Sequence, residues 1–312
     1  MFLSTIIPTV GRDTLARAVN SVLSQSFEKD DFEVIVVNDS GKSLVQDGWQ
    51  SARRVQVLDT NKRERSVARN AGAAMARGKY LHFLDDDDWL VPDALQNLWQ
   101  LSQNRQASWL YGGSQLVDRF GNKLIQLHHE IQGNCFLQVM AGEWIPLQSS
   151  LVDARLFHQF GGFSPLISGP EDIDLLRRIC LHGNVAGTPH LISCIERGEA
   201  GSTTNYSRHA ELSRMAREEI LDHPLAFSRM RESATTGSWL GRMLRIYFTS
   251  VIWNVRHKRP TVAVSRLTCG LAVILLSHVR ISSPRFWSAL LKPYQSPTFA
   301  RGARLSNENF AK

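Results

Sequence analysis

A short apolar segment that leads into four consecutive aspartates is the feature that most constrains how this chain folds. Residues 80–84 are mostly apolar and predict a buried strand, and Asp85, Asp86, Asp87 and Asp88 follow it directly. Two unit charges about 4 Å apart repel by roughly 1 kcal/mol in water and by about 4 kcal/mol at an effective dielectric of 20. Two interpretations are therefore open: the carboxylates bind a divalent cation, or they form a solvated acidic turn.

The rest of the chain alternates between strand and helix patterns. Predicted strands cover residues 2–7, 32–37, 55–58, 80–84, 108–111, 114–117, 123–127 and a segment within 144–152. Turns are predicted at Gly112-Gly113 and at residues 120–122, and the second is predicted to close a hairpin. Predicted helices cover residues 13–23, 66–75 with Gly78 as the C-cap, a segment that starts at Pro92, and a segment that starts at Glu171. The first strands are continuously apolar, which is typical of an α/β sheet covered by helices on both faces.

Polar residues follow three of the predicted strands. Pro8 and Thr9 end the first strand, Asp39 follows the second, and the four aspartates follow the fourth. Ligands of α/β sheets bind beyond the carboxyl ends of the strands, so the three polar clusters predict one shared crevice. This placement favours a functional role for the aspartates.

The phosphate-binding motifs G-x-G-x-x-G and G-x-x-x-x-G-K-[ST] do not occur in the sequence. Neither a dinucleotide-binding loop nor a P-loop is therefore supported. A cation held by carboxylates is the remaining means of neutralising a phosphate-bearing ligand, and Lys62, Arg65 and Arg69 lie close enough in sequence to assist.

A second acidic cluster, Glu171, Asp172 and Asp174, stands at the start of a predicted helix. Acidic side chains there interact favourably with the helix dipole, so a capping role is one interpretation. A carboxylate that removes a proton from an attacking hydroxyl is the other, and the residues leave both open. Trp144 is predicted to be a core residue.

Four sequence pieces resemble family 2 glycosyltransferases with the GT-A fold. In chain order they are STIIPTVGRDTLARAVNSVLSQ, VIVVNDS, RSVARNAGAAMARGKYLHFLDDDDWLVPDAL and GGFSPLISGPEDIDLLRRI. The resemblance covers roughly residues 2–205 and implies a mixed sheet flanked by helices. It also implies inverting transfer of a sugar from a nucleotide-diphosphate sugar, most often a UDP-sugar, to an acceptor hydroxyl.

The resemblance also implies roles for individual residues. Those implied to bind the donor are Pro8, Thr9, Asp39, Arg69, Asn70, Asp85 and Asp86. Asp85 and Asp87 would form the D-x-D motif and hold Mg²⁺ or Mn²⁺, although Asp86 and Asp88 form the same motif in a second register. Asp172 would be the general base. The segment 194–204 resembles one that closes over the donor, with Arg197 and Ser202 near the diphosphate.

Two other protein classes remain open. A sugar-1-phosphate nucleotidyltransferase would also bind a nucleotide and a metal, but residues 8–12 are a poor version of its Gly-rich loop. A non-catalytic nucleotide-sugar-binding module is the other class. It fits less well, because Asp39, Asp85, Asp87 and Asp172 are all present.

Charge is divided unequally along the chain. Residues 1–228 have a net charge of −5 and residues 229–312 one of +12, which predicts a catalytic domain followed by a basic, amphipathic helical region. Apolar segments at 239–255 and 262–281 lie in the basic part. The uncharged core of the second segment, residues 267–279, is shorter than the roughly 20 residues of a membrane-spanning helix.

The sequence leaves three kinds of partner open for the basic region. The first is an anionic lipid surface contacted through residues 239–281 by Arg242, Arg245, Arg256, Lys258 and Arg259. The second is the catalytic domain or a second subunit of a homo-oligomer. Nucleic acid is disfavoured because no binding motif appears.

The acceptor is expected to be a glycan or lipid-linked precursor of the cell surface. The first seven residues predict a strand rather than a secretory leader. Four scattered cysteines indicate a reducing compartment. We therefore expect a cytoplasmic protein, peripheral on the cytoplasmic face of the membrane if the basic region binds lipid.

Overall fold

The computed structural model describes residues 1–26, 31–197, 206–275 and 283–296. Its centre is one mixed sheet. The strands are β1 (Leu3–Thr9), β2 (Phe32–Asn38), β3 (Val55–Asp59), β4 (Tyr80–Phe83), β5 (Trp89–Leu90), β6 (Trp109–Val117), β7 (Lys123–Leu127), β8 (Ser150–Asp153) and β9 (Val185–Glu196). They are ordered β3-β2-β1-β4-β8-β6-β9-β5, and β7 pairs with β6.

Helices cover this sheet and extend beyond it. They are α1 (Leu15–Leu23), α2 (Arg65–Met75), α3 (Ala94–Asn104), α4 (Phe136–Ala141), α5 (Ala154–Gln159), α6 (Glu171–His182), α7 (Tyr206–Leu221), α8 (Ala226–Ser233), α9 (Gly237–Arg256), α10 (Pro260–Leu275) and α11 (Pro284–Leu291). The predicted α/β class, a mixed sheet flanked by helices with a helical C-terminal part, is confirmed.

The continuous apolar character of β2 reflects burial of both faces of the sheet. Ile35 and Val37 belong to the cluster under α2 and α6. Val34 and Val36 point the other way, into the cluster that contains residues of α1 and α3. Because alternate side chains face opposite sides of a strand, a strand buried on both sides has no polar alternation.

The parallel half of the sheet brings the predicted polar clusters to one edge. β3, β2, β1 and β4 run parallel, and Thr9 is in register with Asn38. The backbone N–H of Asp39 donates to the carbonyl of Thr9 at 2.8 Å, and that of Leu84 donates to Ile6 at 3.0 Å. The ends of β1, β2 and β4 therefore meet, as the sequence predicts.

Two predicted helix boundaries are wrong. α2 ends at Met75 with Ala76 as its C-cap, so Gly78 is not the cap. Gly78 is instead required by close packing, because a Cβ there would lie 2.4 Å from the backbone nitrogen of Ser4. α3 begins at Ala94 rather than at Pro92, after Asp93 in the left-handed region.

The predicted turn at Gly112 and Gly113 is also wrong, because both residues lie within β6. A Cβ on Gly112 would lie 2.3 Å from Ile192 of β9, so glycine permits the close approach of the two strands. The hairpin formed by β6 and β7 is confirmed, with its turn near Asp118. The predicted strand within 144–152 corresponds to β8, but the long strand β9 was not predicted.

The C-terminal helices pack against the sheet domain rather than standing apart from it. Position 228 lies inside α8, and α8 and α9 contribute to the same hydrophobic cluster as α4 and α6. Arg242 and Arg245 donate to carbonyls at the end of α11, including Lys292 and Leu290. Among the described residues, no helix has the length and apolarity required to cross a bilayer. The division of the chain at 228 stays a prediction.

Candidate active site

The polar edge of the sheet forms a crevice of about 760 Å³. The strand ends contribute Pro8, Thr9, Asp39 and the four consecutive aspartates to its lining, and α2 contributes Arg65 and Arg69. Gln148, Trp144, Glu171, Asp172, Arg197 and His209 complete much of the opposite wall. Nine residues are implied to bind the donor, hold the metal or act as the base, and eight of them line this cavity; only Asn70 does not.

The four aspartates differ in their partners because the chain turns immediately after β4. Asp85 accepts from Arg69 at 2.6 Å and from the Gln148 amide at 3.0 Å. Asp86 is buried and accepts from the Thr9 hydroxyl at 2.6 Å and from Arg12 at 2.9 Å. The two carboxylates thus face different elements, Asp85 towards α2 and Asp86 towards the loop after β1.

The other two aspartates lie on the same turn. Asp87 contacts Arg12 at 2.5 Å and is about one-third exposed. Asp88 is buried and accepts from the backbone N–H of Glu196 at 2.8 Å, which joins the acidic turn to the end of β9. Arg12, which the sequence did not single out, thereby bridges Asp86 and Asp87.

Three of these carboxylates are arranged suitably for a cation. One oxygen from each of Asp85, Asp87 and Asp88 lies within 4.8 Å of the others. Burial, reinforced by neighbouring carboxylates, raises the pKa of Asp87 and raises that of Asp88 well above its usual range. The adjacent arginines therefore do not fully offset the negative charge. Oxygen-only ligands and excess negative charge fit a hard divalent cation such as Mg²⁺ or Mn²⁺.

Asp39 organises the opposite end of the crevice. Its carboxylate accepts from the Thr60 hydroxyl and the Lys62 backbone at 2.8 Å, and from the Glu64 backbone at 2.7 Å. Burial opposes its ionisation, but these donors outweigh that effect and lower the pKa of Asp39. Asp39 is therefore an ionised acceptor that also fixes the loop leading into α2.

Arg69 links the two acidic clusters. Its guanidinium is buried and donates to Asp85 at 2.6 Å and to Glu171 at 3.0 Å. Burial opposes its charge, but the two carboxylates keep the pKa of Arg69 raised. Arg65 lies 3.6 Å from the same carboxylate of Glu171 and is half exposed. The arginine spacing on α2 thus places two cations beside the Glu171 side chain.

Asn70 points away from the crevice, unlike the other residues implied to bind the donor. Its amide oxygen accepts from the backbone N–H of Phe163 at 2.9 Å, and its amide nitrogen donates to the Phe163 carbonyl at 2.8 Å. This pair of bonds fixes the turn after α5 against α2. In the described geometry Asn70 positions the wall of the site and does not line the cavity.

The acids at the start of α6 were predicted either to cap the helix or to provide a general base, and the structure places them differently. Glu171 accepts from the backbone of Gly169 at 2.8 Å, and Asp174 pairs with Arg178 at 2.7 Å, so both have structural partners. Asp172 is half-buried and lines the crevice, where its Oδ2 accepts from the indole N–H of Trp144 at 2.9 Å. Glu171 lines the crevice as well, but its carboxylate is already bound by Arg69 and by the Gly169 backbone.

Several lining residues escaped the sequence prediction. Trp144 was expected in the core but is only half-buried and faces the crevice. Gln148 and Arg12 come from loops whose path no periodic pattern predicts. Only Gly11 indicates the importance of the loop that carries Arg12, because it lies in the left-handed region, and glycine there often lets the backbone approach a ligand closely. Ser202 lies outside the described residues, whereas Arg197 lines the cavity.

The fold is an α/β fold with one mixed sheet, and its acidic crevice lies at the ends of the parallel strands. The model of the family described as "Glycosyl transferase family 2" matches residues 4–153, which include β1 to β4, the four aspartates and β8. The predicted resemblance to this family is therefore confirmed over residues 4–153, just under half of the chain.

Curated relatives match part of the chain. Poly(ribitol-phosphate) beta-N-acetylglucosaminyltransferase TarP of Staphylococcus aureus is 33% identical over 115 residues, 35% of this chain and 35% of its own length. GalNAc(5)-diNAcBac-PP-undecaprenol beta-1,3-glucosyltransferase of Campylobacter jejuni is 31% identical over 173 residues, 50% of this chain and 55% of its own. The chain thus spans between a third and just over half of these relatives.

The fold of the whole chain is similar to that of a solved structure. Staphylococcus aureus TarS residues 1–349, in complex with UDP-GlcNAc, matches with a TM-score of 0.62 at 17% identity. The match covers 100% of this chain and 92% of that one. The GT-A class of fold, including the helical part that follows the sheet, is confirmed by this likeness.

Proposed function

We propose that this protein transfers a sugar from a nucleotide-diphosphate sugar to an acceptor hydroxyl with inversion at the anomeric carbon. The observation that carries the proposal is the single crevice lined by Asp39, the four aspartates and Asp172. The match of residues 4–153 to the model of glycosyl transferase family 2 supports it. A UDP-sugar is the proposed donor, because the similar TarS structure contains UDP-GlcNAc.

The donor would lie along the strand ends. Thr9 and Asp39 would border the nucleoside, and Arg12 lies beside the acidic turn where the diphosphate would pass. Asp85 and Asp87 would hold Mg²⁺ or Mn²⁺, whose charge would neutralise the diphosphate and stabilise it as it leaves. The D-x-D register at 85 and 87 is preferred, since oxygens of both residues belong to the carboxylate cluster described above, whereas Asp86 does not.

Asp172 would act as the general base. The acceptor oxygen attacks the anomeric carbon from the side opposite the diphosphate, the bond to the diphosphate breaks, and the hydroxyl proton moves to Asp172. The indole N–H of Trp144 holds one carboxylate oxygen and the backbone N–H of Ile173, at 2.7 Å, holds the other. This double contact restrains the orientation of the base, which favours transfer along one direction.

The acceptor is proposed from the relatives. The name of one relative specifies a poly(ribitol-phosphate) acceptor and that of another an undecaprenol-linked saccharide. We therefore place the chain in the synthesis of a cell-surface polysaccharide or glycolipid. A cytoplasmic location is part of the same proposal, because all four cysteines are free thiols, as suits a reducing compartment.

A thermal-shift screen of nucleotide sugars, with Mn²⁺ or with a chelator, tests the donor site. A ligand present at 100 times its dissociation constant stabilises the folded protein by about 2.7 kcal/mol. We expect stabilisation by a UDP-sugar with Mn²⁺ and a much smaller effect with chelator or in Asp87→Asn. Asp31→Asn, which removes an exposed carboxylate far from the crevice, is the control and should respond like the wild type.

Product analysis then tests the reaction. Transfer releases a nucleoside diphosphate and a glycosylated acceptor, whereas a nucleotidyltransferase consumes or releases pyrophosphate. Pyrophosphate formation would contradict the proposal, as would binding of the donor without hydrolysis or transfer under any acceptor condition. Unchanged activity with chelator would contradict the proposed metal requirement, and the proposed transferase reaction would still stand.

A further inference from the structure

The helix α10 is apolar on both of its faces. Its inner face packs against the protein through Ala263, Arg266, Gly270 and Val273, which are buried. Its outer face carries a row of exposed apolar side chains, the α10 stripe: Val264 at 61% exposure, Leu267 at 42%, Leu271 at 49% and Leu275 at 75%. The spacing of three and four residues places these side chains along one line of the helix.

The orientation of α10 is fixed by its inner face. Arg266 is buried and pairs with Asp222, the residue directly after α7, and it also donates to the backbone carbonyl of Glu218 at 3.3 Å. Gly270 lies against Phe248 of α9, where a Cβ would approach the ring to 3.4 Å. Rotation that turned the α10 stripe inwards would expose this arginine partnership, so the stripe faces outwards by construction.

An outer face of this kind is unusual for a helix at the surface of a water-soluble domain. Surface helices normally place charged residues on the side opposite the core, whereas a helix that is apolar all round has both sides covered. Arg266 is the only charged residue between positions 260 and 275, and it points inwards. Contiguous exposed apolar side chains of this type mark a contact with a protein or a membrane.

The positive charge around the α10 stripe indicates an anionic partner. Between Glu232 and Glu308 the sequence contains 11 lysines and arginines and no aspartate or glutamate. The turn before α10 presents Arg256 and Lys258, both exposed, next to exposed Val255. Because the turn leads directly into α10, it adds positive charge beside the N-terminal end of the apolar stripe.

Within the described part of the chain, no carboxylate lies within ion-pair distance of Arg256 or Lys258. Glu211 of α7 lies 3.5 Å from His257 in the same turn, and Asp222, directly after α7, pairs with Arg259 at 3.4 Å and with Arg266. Two copies of the chain meeting through this surface by a two-fold axis would oppose like charges, which disfavours a symmetric dimer here.

We propose that the α10 stripe and the Arg256–Lys258 turn bind the surface of an anionic lipid bilayer. The apolar side chains would enter the boundary between headgroups and acyl chains, and the two cations would lie among anionic headgroups, as in interfacial helices. Of the five cations considered from sequence, Arg242, Arg245 and Arg259 are engaged within the protein, which narrows the contact to this turn. The inference concerns attachment and does not depend on the reaction proposed for the crevice.

Flotation of the full 312-residue chain with vesicles tests the proposal. Vesicles of phosphatidylglycerol and phosphatidylcholine are compared with phosphatidylcholine alone at low and high salt. We expect binding to the anionic vesicles that weakens with salt, and at least a ten-fold loss for the double variant Arg256→Glu/Lys258→Glu, since each cation contributes roughly five-fold. The double variant Leu267→Ser/Leu271→Ser should lose binding to a similar degree.

Matched controls separate the surface from general charge and hydrophobicity. Arg53→Glu/Lys123→Glu makes the same change in net charge at exposed positions of the sheet domain. Phe120→Ser removes an apolar side chain that is 74% exposed in the β6–β7 turn. Both should bind within two-fold of the wild type.

Two results would overturn the proposal. One is equal flotation of the stripe variant and the wild type. The other is no vesicle binding, with sedimentation showing a dimer that the stripe variant dissociates, because the surface would then be an interface between copies. Donor binding, measured separately, stays unaffected in either case, so failure here leaves the proposed reaction standing.

Discussion

The crevice and the C-terminal helices are each built around a buried arginine, and they use it differently. Arg69 is 4% exposed and joins Asp85 to Glu171, two carboxylates from distant parts of the chain. Arg266 is 5% exposed and joins α10 to Asp222 and, at 3.9 Å, Glu218 of α7. The first arginine holds the two acidic clusters of the site together, and the second attaches a helix.

The difference lies in the charge that remains around each arginine. In the crevice the carboxylates outnumber the nearby cations, and burial raises the pKa of Asp86, Asp87 and Glu171. In the C-terminal helices the few carboxylates are paired and the outer surface stays positive. One region is therefore prepared for a cation and the other for an anionic surface, within a single hydrophobic core.

The largest effect is expected at the base. Asp172→Asn should lower turnover by about 10²–10⁴-fold, because a positioned general base contributes that much, while donor binding stays near normal. Kinetic constants and donor titration measure the two properties separately. Asp174→Asn on the same helix is the control: it breaks the pair with Arg178 and should reduce stability more than turnover. Turnover of Asp172→Asn within ten-fold of the wild type would exclude this residue as the base.

The arginine of the crevice comes next. Arg69→Met should cost about 3–5 kcal/mol of unfolding free energy, because it leaves Glu171 and Asp85 without their buried cation. It should also weaken metal-dependent donor binding. Arg65→Met removes a half-exposed cation 3.6 Å from Glu171 and should cost less than about 1 kcal/mol. Denaturant titration of both variants checks the ranking, and equal costs would contradict it.

Acidic pH should destabilise the fold through His82, which lies in the sheet beneath the crevice. His82 is buried, its Nε2 lies 2.9 Å from the Gln148 carbonyl, and burial lowers the pKa of His82 to about 4. Its folded pKa is below its unfolded value of about 6.5, so its contribution to stability is full above pH 6.5 and is lost as the pH falls towards 4. We expect a loss of up to about 3 kcal/mol across that window.

Denaturant unfolding between pH 7 and pH 4 measures this loss of unfolding free energy. The variant His82→Gln should flatten the dependence, whereas His182→Gln should leave most of it, because His182 is exposed. A wild-type slope that persists in His82→Gln would show that other groups are responsible.

The smallest effect is expected in the C-terminal helices. Arg266→Met should cost about 2 kcal/mol, since Glu218 keeps its bonds to Ser250 and Asn254. Donor binding should be unchanged, unlike that of the Arg69 variant. Arg259→Met, with a partly exposed pair, should cost less than about 1 kcal/mol. Loss of donor binding in Arg266→Met would mean that the C-terminal helices and the crevice are energetically coupled.

The sequence predicted the parallel half of the sheet well, and it failed where distant segments meet. The strands before Asp39 and Asp85 are continuous apolar runs, and burial on both faces requires that pattern wherever the strands pair. Gly78 and Gly112 were misassigned to a cap and a turn. Both are explained only by a neighbouring strand, at Ser4 and at Ile192, that would collide with a Cβ.

The candidate site shows the same division. The sequence by itself determined which carboxylates stand at strand and helix ends, because local periodicity sets those ends and crowded charge marks them. Only the tertiary structure decided what each carboxylate contacts. Asp85 faces Arg69, Asp172 faces Trp144, and the side chain of Asn70 turns to Phe163. These pairs join residues separated by 16 to 93 positions, and such distances close only when the whole core packs.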